Sequence, residues 1–182
     1  MRPVFAGGSG RTRREYLGAL AALAFATVSG LAAAADAEAP KPGRVVLSVA
    51  REDGAGKPVR FDMAALQKLE RKTIVSALPP SMKVQGQHEW VGVPIRAVLA
   101  AAGVKPGVTI KVSALNAYSA SIPAEDLERY EPILAYLRDG KPMSIRDKGP
   151  LFVIYPFDQH AELQQMEFVN RAVWQANEIF VR

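Results

Sequence analysis

The longest apolar stretch of the chain lies near its start, from Leu17 to Ala35, and contains no charged residue. Four arginines precede this stretch, and a run of small residues, Ala32–Ala35, ends it. A basic region, an apolar region and a small-residue cleavage site in this order are typical of a secretory signal peptide. The pattern therefore predicts a cleavable signal peptide at residues 1–35, with cleavage within residues 33–38.

Two other interpretations of the stretch are a buried alanine-rich helix and a membrane anchor. The glycine, serine and threonine residues inside it make membrane insertion weak. The Pro-Lys-Pro-Gly linker that follows is unusual after a core helix. Both alternatives are therefore disfavoured, and no membrane span is expected after cleavage.

The leader also carries a more specific signal in the segment Thr12–Leu17, which reads Thr-Arg-Arg-Glu-Tyr-Leu. It resembles the bacterial twin-arginine export signal, in which a serine or threonine, two arginines, any residue, an aromatic residue and a leucine follow one another. An ordinary secretory signal with two adjacent arginines is the alternative. A periplasmic location is expected, and the twin-arginine route carries folded proteins that often hold a cofactor.

Short apolar runs follow a linker at residues 36–44. They predict strands at 45–50, 73–75, 109–115, 118–122, 133–137 and 151–155, and short helical segments at 62–69, 95–102 and 123–127. Residues 144–149 are expected to form a solvated charged turn and residues 157–167 a polar loop. Because no regular β-α-β alternation appears, the pattern favours a single α+β domain at 45–182, a mixed β-sheet with surrounding short helices.

Charge and cysteine content narrow the function classes. Removing residues 1–35 leaves 19 basic and 17 acidic residues, so the net charge falls from +5 to +2. This small excess, with no basic cluster interleaved with aromatic residues, argues against nucleic acid binding. The chain has no cysteine, which excludes disulfides, thiolate metal ligands, a cysteine nucleophile and a lipoprotein anchor.

Four segments in order resemble the molybdopterin-binding domain of the sulfite oxidase family, and more narrowly its small stand-alone bacterial members. They are Trp90-Val91-Gly92-Val93-Pro94, Asn116–Pro123 with Asp126, Asp139–Met143 followed by Gly149-Pro150-Leu151, and Val173-Trp174. The resemblance implies a mixed sheet with helices around it and a pterin pocket at one side. It also implies one cysteine thiolate on molybdenum, placed between an early strand and the Trp-x-Gly motif.

The chain departs from this pattern at the metal ligand. The corresponding segment, Thr73–Pro80, contains no cysteine. Molybdenum chemistry of this kind depends on a soft thiolate, and the hydroxyls of Thr73 and Ser76 are poor substitutes. The fold is therefore expected to be retained, whereas no cofactor is expected, with molybdopterin remaining possible.

Six residues are the candidates for a cofactor or ligand pocket, and no metal site is expected. Asn116 and Tyr118 line the pocket or form a turn between two strands. Asp158, His160 and Glu162 occupy alternate positions of a loop. The loop is either a metal or anion site, to which His88 could add a ligand, or a solvated surface. Tyr155 is a candidate because it lies at the end of a predicted strand, and ligand sites are often found at strand ends and in the loops beyond them. The full set is Trp90, Asn116, Tyr118, Tyr155, Asp158 and His160, of which Trp90 is alternatively a core anchor.

Two functions remain open. The first is a non-catalytic module that binds a small molecule or a periplasmic protein partner. The second is a molybdopterin-dependent oxidoreductase that holds its cofactor without a cysteine. The missing thiolate favours the first function, because it removes the ligand on which the molybdenum mechanism depends. A twin-arginine signal permits export of a cofactor-loaded enzyme but does not require it. No nucleophile elbow, HExxH motif or catalytic carboxylate pair indicates hydrolysis.

Overall fold

The computed structural model of the chain describes residues 43–182. The predicted signal peptide, its twin-arginine motif and its cleavage site lie outside the described residues. Within residues 43–182, no helix has the length and apolar character that crossing a membrane would need.

The described residues form ten strands and four short α-helices. The strands are β1 Val45–Arg51, β2 Val59–Asp62, β3 Lys72–Ala77, β4 Gln87–Pro94, β5 Ile110–Ala114, β6 Ser119–Ile122, β7 Ile133–Arg138, β8 Lys141–Pro142, β9 Phe152–Ile154 and β10 Ala176–Val181. The helices are α1 Met63–Gln67, α2 Ile95–Ala101, α3 Ala124–Arg129 and α4 Met166–Arg171. The α+β class predicted from the sequence is confirmed.

The strands divide into two five-stranded sheets. The first has the order β2-β1-β10-β5-β6, and in it β1 and β10 are parallel while the other pairs are antiparallel. The second has the order β3-β4-β7-β8, with β9 also pairing with β7, and is antiparallel throughout. The predicted mixed sheet is thus the first of two sheets.

Local sequence explains the placement of several elements. The carboxylate of Asp62 accepts a hydrogen bond from the Ala65 backbone N–H at 2.7 Å and caps α1, as its position predicts. In β5 the alternate residues Ile110, Val112 and Ala114 are buried while Lys111 and Ser113 are half-buried. This is the period of two expected of a strand with one face on the core.

The segment just before β10 joins the two sheets. The Val153 N–H in β9 donates to the carbonyl of Val173, and the Ala176 N–H donates to the carbonyl of Leu151, both at 2.9 Å. Trp174 forms an isolated bridge with Phe152. Trp174 therefore lies where the second sheet meets the start of β10.

The prediction of a polar loop at residues 157–167 is wrong in part. Ala161–Gln164 form a 3₁₀ turn with Leu163 fully buried, and α4 begins at Met166. Phe157, at the start of the expected loop, is also buried. Each turn buries only one or two apolar side chains, and so short a pattern shows no recognisable period in the sequence.

Candidate functional site

Three chain segments meet at the end of the first sheet where β5 ends and β10 begins. Gln175 connects them through three hydrogen bonds. Its backbone N–H donates to the carbonyl of Lys148 at 2.9 Å, and its own carbonyl accepts from the Leu115 N–H at 3.1 Å. Its side-chain amide donates to the carbonyl of Ile145 at 2.8 Å. The β5–β6 turn and the loop before β9 are thereby fixed against the start of β10.

An aromatic stack lies beside this junction. The rings of Tyr118 and Trp174 are parallel, 4° apart in orientation, with centroids 6.2 Å apart. The Tyr118 hydroxyl donates to the carbonyl of Asn170 in α4 at 2.8 Å. The ammonium of Lys148 lies 4.3 Å from the centroid of the Trp174 ring, within the range of a cation–π contact. We name this surface the aromatic ledge: Tyr118, Trp174 and Lys148, with Leu115 and Ile145, two exposed residues whose backbones are hydrogen-bonded to Gln175.

The aromatic ledge is positively charged on one side. Burial lowers the pKa of Lys148, and the nearby charges of Lys83 and Arg138 lower that pKa further. None of these three cations forms a direct ion pair with a carboxylate among residues 43–182, although Arg138 lies near enough to Asp139 to help lower the pKa of that carboxyl. The expectation of a fully solvated turn at 144–149 is therefore wrong for Lys148, which covers the ring of Trp174.

The backbone around the aromatic ledge adopts an unfavourable conformation at three points. Ala117, Lys148 and Gln175 have φ angles of 65°, 73° and 56°. Residues other than glycine rarely occupy this left-handed region. Such conformations persist only where the surrounding structure holds them in place, as the hydrogen bonds of Gln175 do here.

The two predicted residues of the β5–β6 turn lie together at this surface. The Tyr118 N–H donates to the side-chain oxygen of Asn116 at 3.1 Å, an Asx turn. Asn116 thus forms the turn that was its alternative interpretation from the sequence. Its side chain also orients Tyr118, whose ring stacks on Trp174. Whether either residue lines a cofactor pocket stays a prediction.

Tyr155 lies in a different, buried cluster. It is fully buried, and its hydroxyl donates to the carboxylate of Asp126 at 2.8 Å. Arg171 donates to the same carboxylate oxygen at 2.9 Å. Burial raises the pKa of Tyr155 far above its usual range, and the negative charge of Asp126 adds to that increase. The cluster joins α3 and α4 to Tyr155, the residue that directly follows β9.

His160 lies at the edge of the same cluster. Its ring contacts Tyr130 edge-on with centroids 5.1 Å apart, and Tyr130 in turn contacts Tyr155 at 6.3 Å. The Tyr130 hydroxyl donates to Glu162 at 3.2 Å, and Arg129 forms an ion pair with Glu162 at 2.7 Å. Glu162 is therefore occupied by a hydroxyl and a guanidinium.

Asp158 and Trp90 belong to a third group, which is built around Ser76. The Asp158 N–H donates to the Ser76 hydroxyl at 3.2 Å, and the Asp158 carboxylate accepts from the Ala77 N–H at 2.7 Å. The indole N–H of Trp90 donates to the carbonyl of Ser76 at 3.1 Å, and the ring is fully buried. Trp90 therefore has the core position that was its alternative interpretation.

The six predicted residues thus fall into three groups: Asn116 with Tyr118, Tyr155 with His160, and Asp158 with Trp90. Sequence reasoning missed Lys148 and Gln175 at the aromatic ledge, and it gave Asp126 and Arg171 no site role. Lys148 stands in a charged run that gives no sign of the ring beneath it. Trp174 was visible in the Val-Trp pair of the family resemblance, but it was not among the six candidate residues.

The donor atoms of the chain do not fit a molybdenum centre held by the protein. The chain has no cysteine. In Thr73–Pro80, Ser76 is fully buried, and its hydroxyl donates to the carbonyl of Ala77 at 2.9 Å while accepting from Asp158. No three histidine, aspartate or glutamate side chains are grouped to hold a metal in the described part of the chain. His88 pairs with Asp139 at 2.6 Å, and the two do not join Asp158 and His160 in such a group.

Comparisons with known proteins agree with this fold. Residues 39–159 match the family described as the oxidoreductase molybdopterin binding domain. Among solved structures, the sulfane dehydrogenase SoxCD from Paracoccus pantotrophus is similar, with a TM-score of 0.53 and 20% sequence identity. The match covers 74% of this chain and only 37% of that chain. A search of curated proteins finds no match. The chain belongs to the oxidoreductase molybdopterin-binding domain family, whose sulfite oxidase-type fold it adopts.

Proposed function

We propose that this chain is an exported, non-catalytic binding module, a member of the molybdopterin-binding family that has lost the protein ligand to molybdenum. The state of Ser76 carries the proposal. Its hydroxyl is buried and makes two hydrogen bonds, and the Asp158 carboxylate closes the same strand end through the Ala77 N–H. A hydroxyl so engaged is a hard, weakly acidic donor that cannot replace a soft thiolate.

The aromatic ledge supplies the binding surface. Tyrosine and tryptophan contribute large, rigid contact areas with a polar handle, and such residues dominate the energetics of protein interfaces. Here Lys148 covers the Trp174 ring of the stacked pair, and hydrogen bonds of Gln175 and Tyr118 fix the surrounding segments. A surface arranged in this way suits the recognition of a ligand or partner.

Export rests on the sequence of the leader. The twin-arginine motif and the apolar stretch that follows support a periplasmic location. A small cysteine-free domain is compatible with that compartment because its apolar core needs no disulfide. Leu47, Trp90, Phe152 and Tyr155 are among the fully buried residues of that core.

The second candidate function is an oxidoreductase that holds molybdopterin through non-covalent contacts alone. Membership of the family favours it, and so does an export route that carries cofactor-loaded proteins. It requires that the metal be held without any protein ligand, and this requirement places it second.

The test is the metal and pterin content of the chain exported through its own leader. Molybdenum and tungsten are measured by elemental analysis, and pterin by the fluorescence of its oxidation products. A molybdopterin protein of the same family, exported by the same host, is the positive control for cofactor supply. The proposal predicts neither metal nor pterin in the purified chain. Near-stoichiometric amounts of both would overturn it in favour of the second candidate.

A further inference from the structure

We propose that the aromatic ledge docks an acidic segment of a partner protein, one that presents an apolar side chain between carboxylates. This inference rests on the proposed function, since it names the chemistry of the partner that the binding module takes. Three properties of the aromatic ledge carry it: exposed apolar side chains, a fixed backbone and the positive charge of Lys148.

Three exposed apolar side chains belong to the aromatic ledge. Leu115, Tyr118 and Ile145 are 51%, 40% and 53% exposed. The other four large apolar side chains that are comparably exposed in residues 43–182 are Met166 in α4 and valines on three separate strands, Val45, Val59 and Val75. An exposed apolar cluster of this kind marks an interaction site. The exposed fractions are those of an open surface, whereas small molecules bind in concave pockets that enclose most of the ligand.

The same residues are held in place before any partner arrives. Leu115 and Ile145 are attached to Gln175 by backbone and side-chain hydrogen bonds, and Tyr118 is attached to α4 through the Asn170 carbonyl. A surface that is already ordered loses little conformational entropy on binding, which increases the net affinity.

Charge identifies the chemistry of the partner. Lys148 covers the Trp174 ring, and Lys83 and Arg138 act on it with the same sign of charge. A carboxylate placed beside Lys148 would relieve this repulsion, and charge complementarity of this kind sets both specificity and association rate. Burial and the two neighbouring cations lower the pKa of Lys148, so an acidic partner is expected to raise it again. An apolar side chain between the carboxylates would cover the exposed ring of Tyr118.

The experiment uses the full chain and two synthetic peptides. The first alternates pairs of aspartates with single phenylalanines, and the second has asparagine in place of every aspartate. Binding is followed by amide NMR shifts and by tryptophan fluorescence, in which the fully buried Trp90 is an internal reference for Trp174. We expect the acidic peptide to bind about tenfold more tightly than the amide peptide. Affinity should fall with added salt.

Variants locate the contact. Lys148→Glu and Trp174→Ala are each expected to weaken binding of the acidic peptide about tenfold, measured by the amide NMR shifts because Trp174→Ala removes the fluorescent reporter. The matched control is Lys105→Glu, because Lys105 is an exposed lysine in the loop before β5, at the opposite end of that strand from the aromatic ledge. This control should leave affinity unchanged.

Three results would overturn the inference. One is equal affinity for the acidic and amide peptides, and another is the absence of NMR shifts at the aromatic ledge. The third concerns benzoate, a small anion with one aromatic ring. If benzoate binds as tightly as the acidic peptide, the surface is a site for small anions and not for a protein segment. Metal and pterin content are measured on the same preparation. A chain that contains metal and pterin therefore refutes the proposed function. A chain that contains neither and does not bind the acidic peptide refutes only this inference.

Discussion

At the scale of single residues, a buried carboxylate between a tyrosine and an arginine stabilises the domain. Asp126 is 4% exposed and accepts hydrogen bonds from Tyr155 and Arg171 on one oxygen. A buried carboxylate is costly unless it is paired and hydrogen-bonded. Both partners are therefore needed, although they come from different elements.

Replacing Tyr155 with phenylalanine should lower the free energy of unfolding by about 1.5–3 kcal/mol, because a hydrogen bond to a charged, buried group is lost. Chemical denaturation measures the change. The matched control is Tyr136→Phe, since Tyr136 is also buried but makes no side-chain hydrogen bond within residues 43–182. Equal losses in the two variants would contradict the role assigned to Asp126.

The same pair predicts a pH dependence on the alkaline side. Burial raises the pKa of Tyr155 above that of the unfolded chain, which is about 10. The stabilisation is complete below that value and is lost as the pH rises above it, because only the unfolded state then ionises the phenol. Denaturation curves between about pH 8 and about pH 11 should fall more steeply for the wild type than for Tyr155→Phe. Parallel curves would count against this explanation.

The residue-scale predictions from sequence were limited by contacts between residues that are distant in the sequence. Tyr155 was selected because ligand sites gather at strand ends, yet its hydroxyl bonds to Asp126, 29 residues earlier. Lys148 was assigned to solvent because its neighbours are charged. Its contact with Trp174 depends on the loop before β9 reaching the start of β10, which local sequence does not encode.

At the scale of elements, the Trp-x-Gly motif has a steric explanation. The pairing of β4 with β7 shifts register between Val91 and Gly92. A side chain at Gly92 would collide with the backbone of β7, since its Cβ would lie 2.6 Å from the Ala135 Cα and still closer to the Leu134 carbonyl oxygen. Only glycine allows the two strands to approach this closely.

Gly92→Ala should therefore destabilise the domain by about 3 kcal/mol, since backbone atoms cannot move aside as a flexible side chain would. Thermal or chemical denaturation measures the effect. Ala97→Gly in α2 is a control that also exchanges glycine and alanine but involves no overlap, and it should cost about 1 kcal/mol. A Gly92→Ala variant as stable as the wild type would show that the strands tolerate a wider separation.

Elements with a clear period were predicted well, and those without one were not. The strand at 109–115 alternates strictly, and β5 was found within one residue at each end. Helix α4 was missed because it buries only Phe168 and Val169, which are adjacent in sequence. The division of the strands into two sheets depends on pairings between distant segments such as β1 with β10, which periodicity cannot reveal.

At the scale of the whole molecule, a family fold is combined with a donor set that does not suit the family's metal. The family could be predicted because its motifs are spread in order along the domain. The hydrogen bond between the Asp158 N–H and the Ser76 hydroxyl could not be predicted, since the two residues are 82 positions apart in the sequence. The absence of cysteine was the decisive sequence observation, and the engaged hydroxyl of Ser76 supplies its structural counterpart.

Export is tested at this scale as well. Replacing both Arg13 and Arg14 with lysine should prevent export, because the twin-arginine signal depends on the adjacent pair. The measurement is the fraction of the chain recovered from the periplasm. Arg11→Lys, with a single change outside the pair, is the matched control and should be exported normally. Normal export of the double variant would indicate an ordinary secretory signal.

The central claim is that the exported chain functions without molybdopterin. Its most direct test compares the thermal unfolding temperature of the chain purified from a host that makes the cofactor and from one that cannot. A tightly bound cofactor would stabilise the native state by about 2.7 kcal/mol or more. The account predicts the same unfolding temperature and the same exported yield in both hosts. A higher unfolding temperature in the cofactor-making host would contradict it.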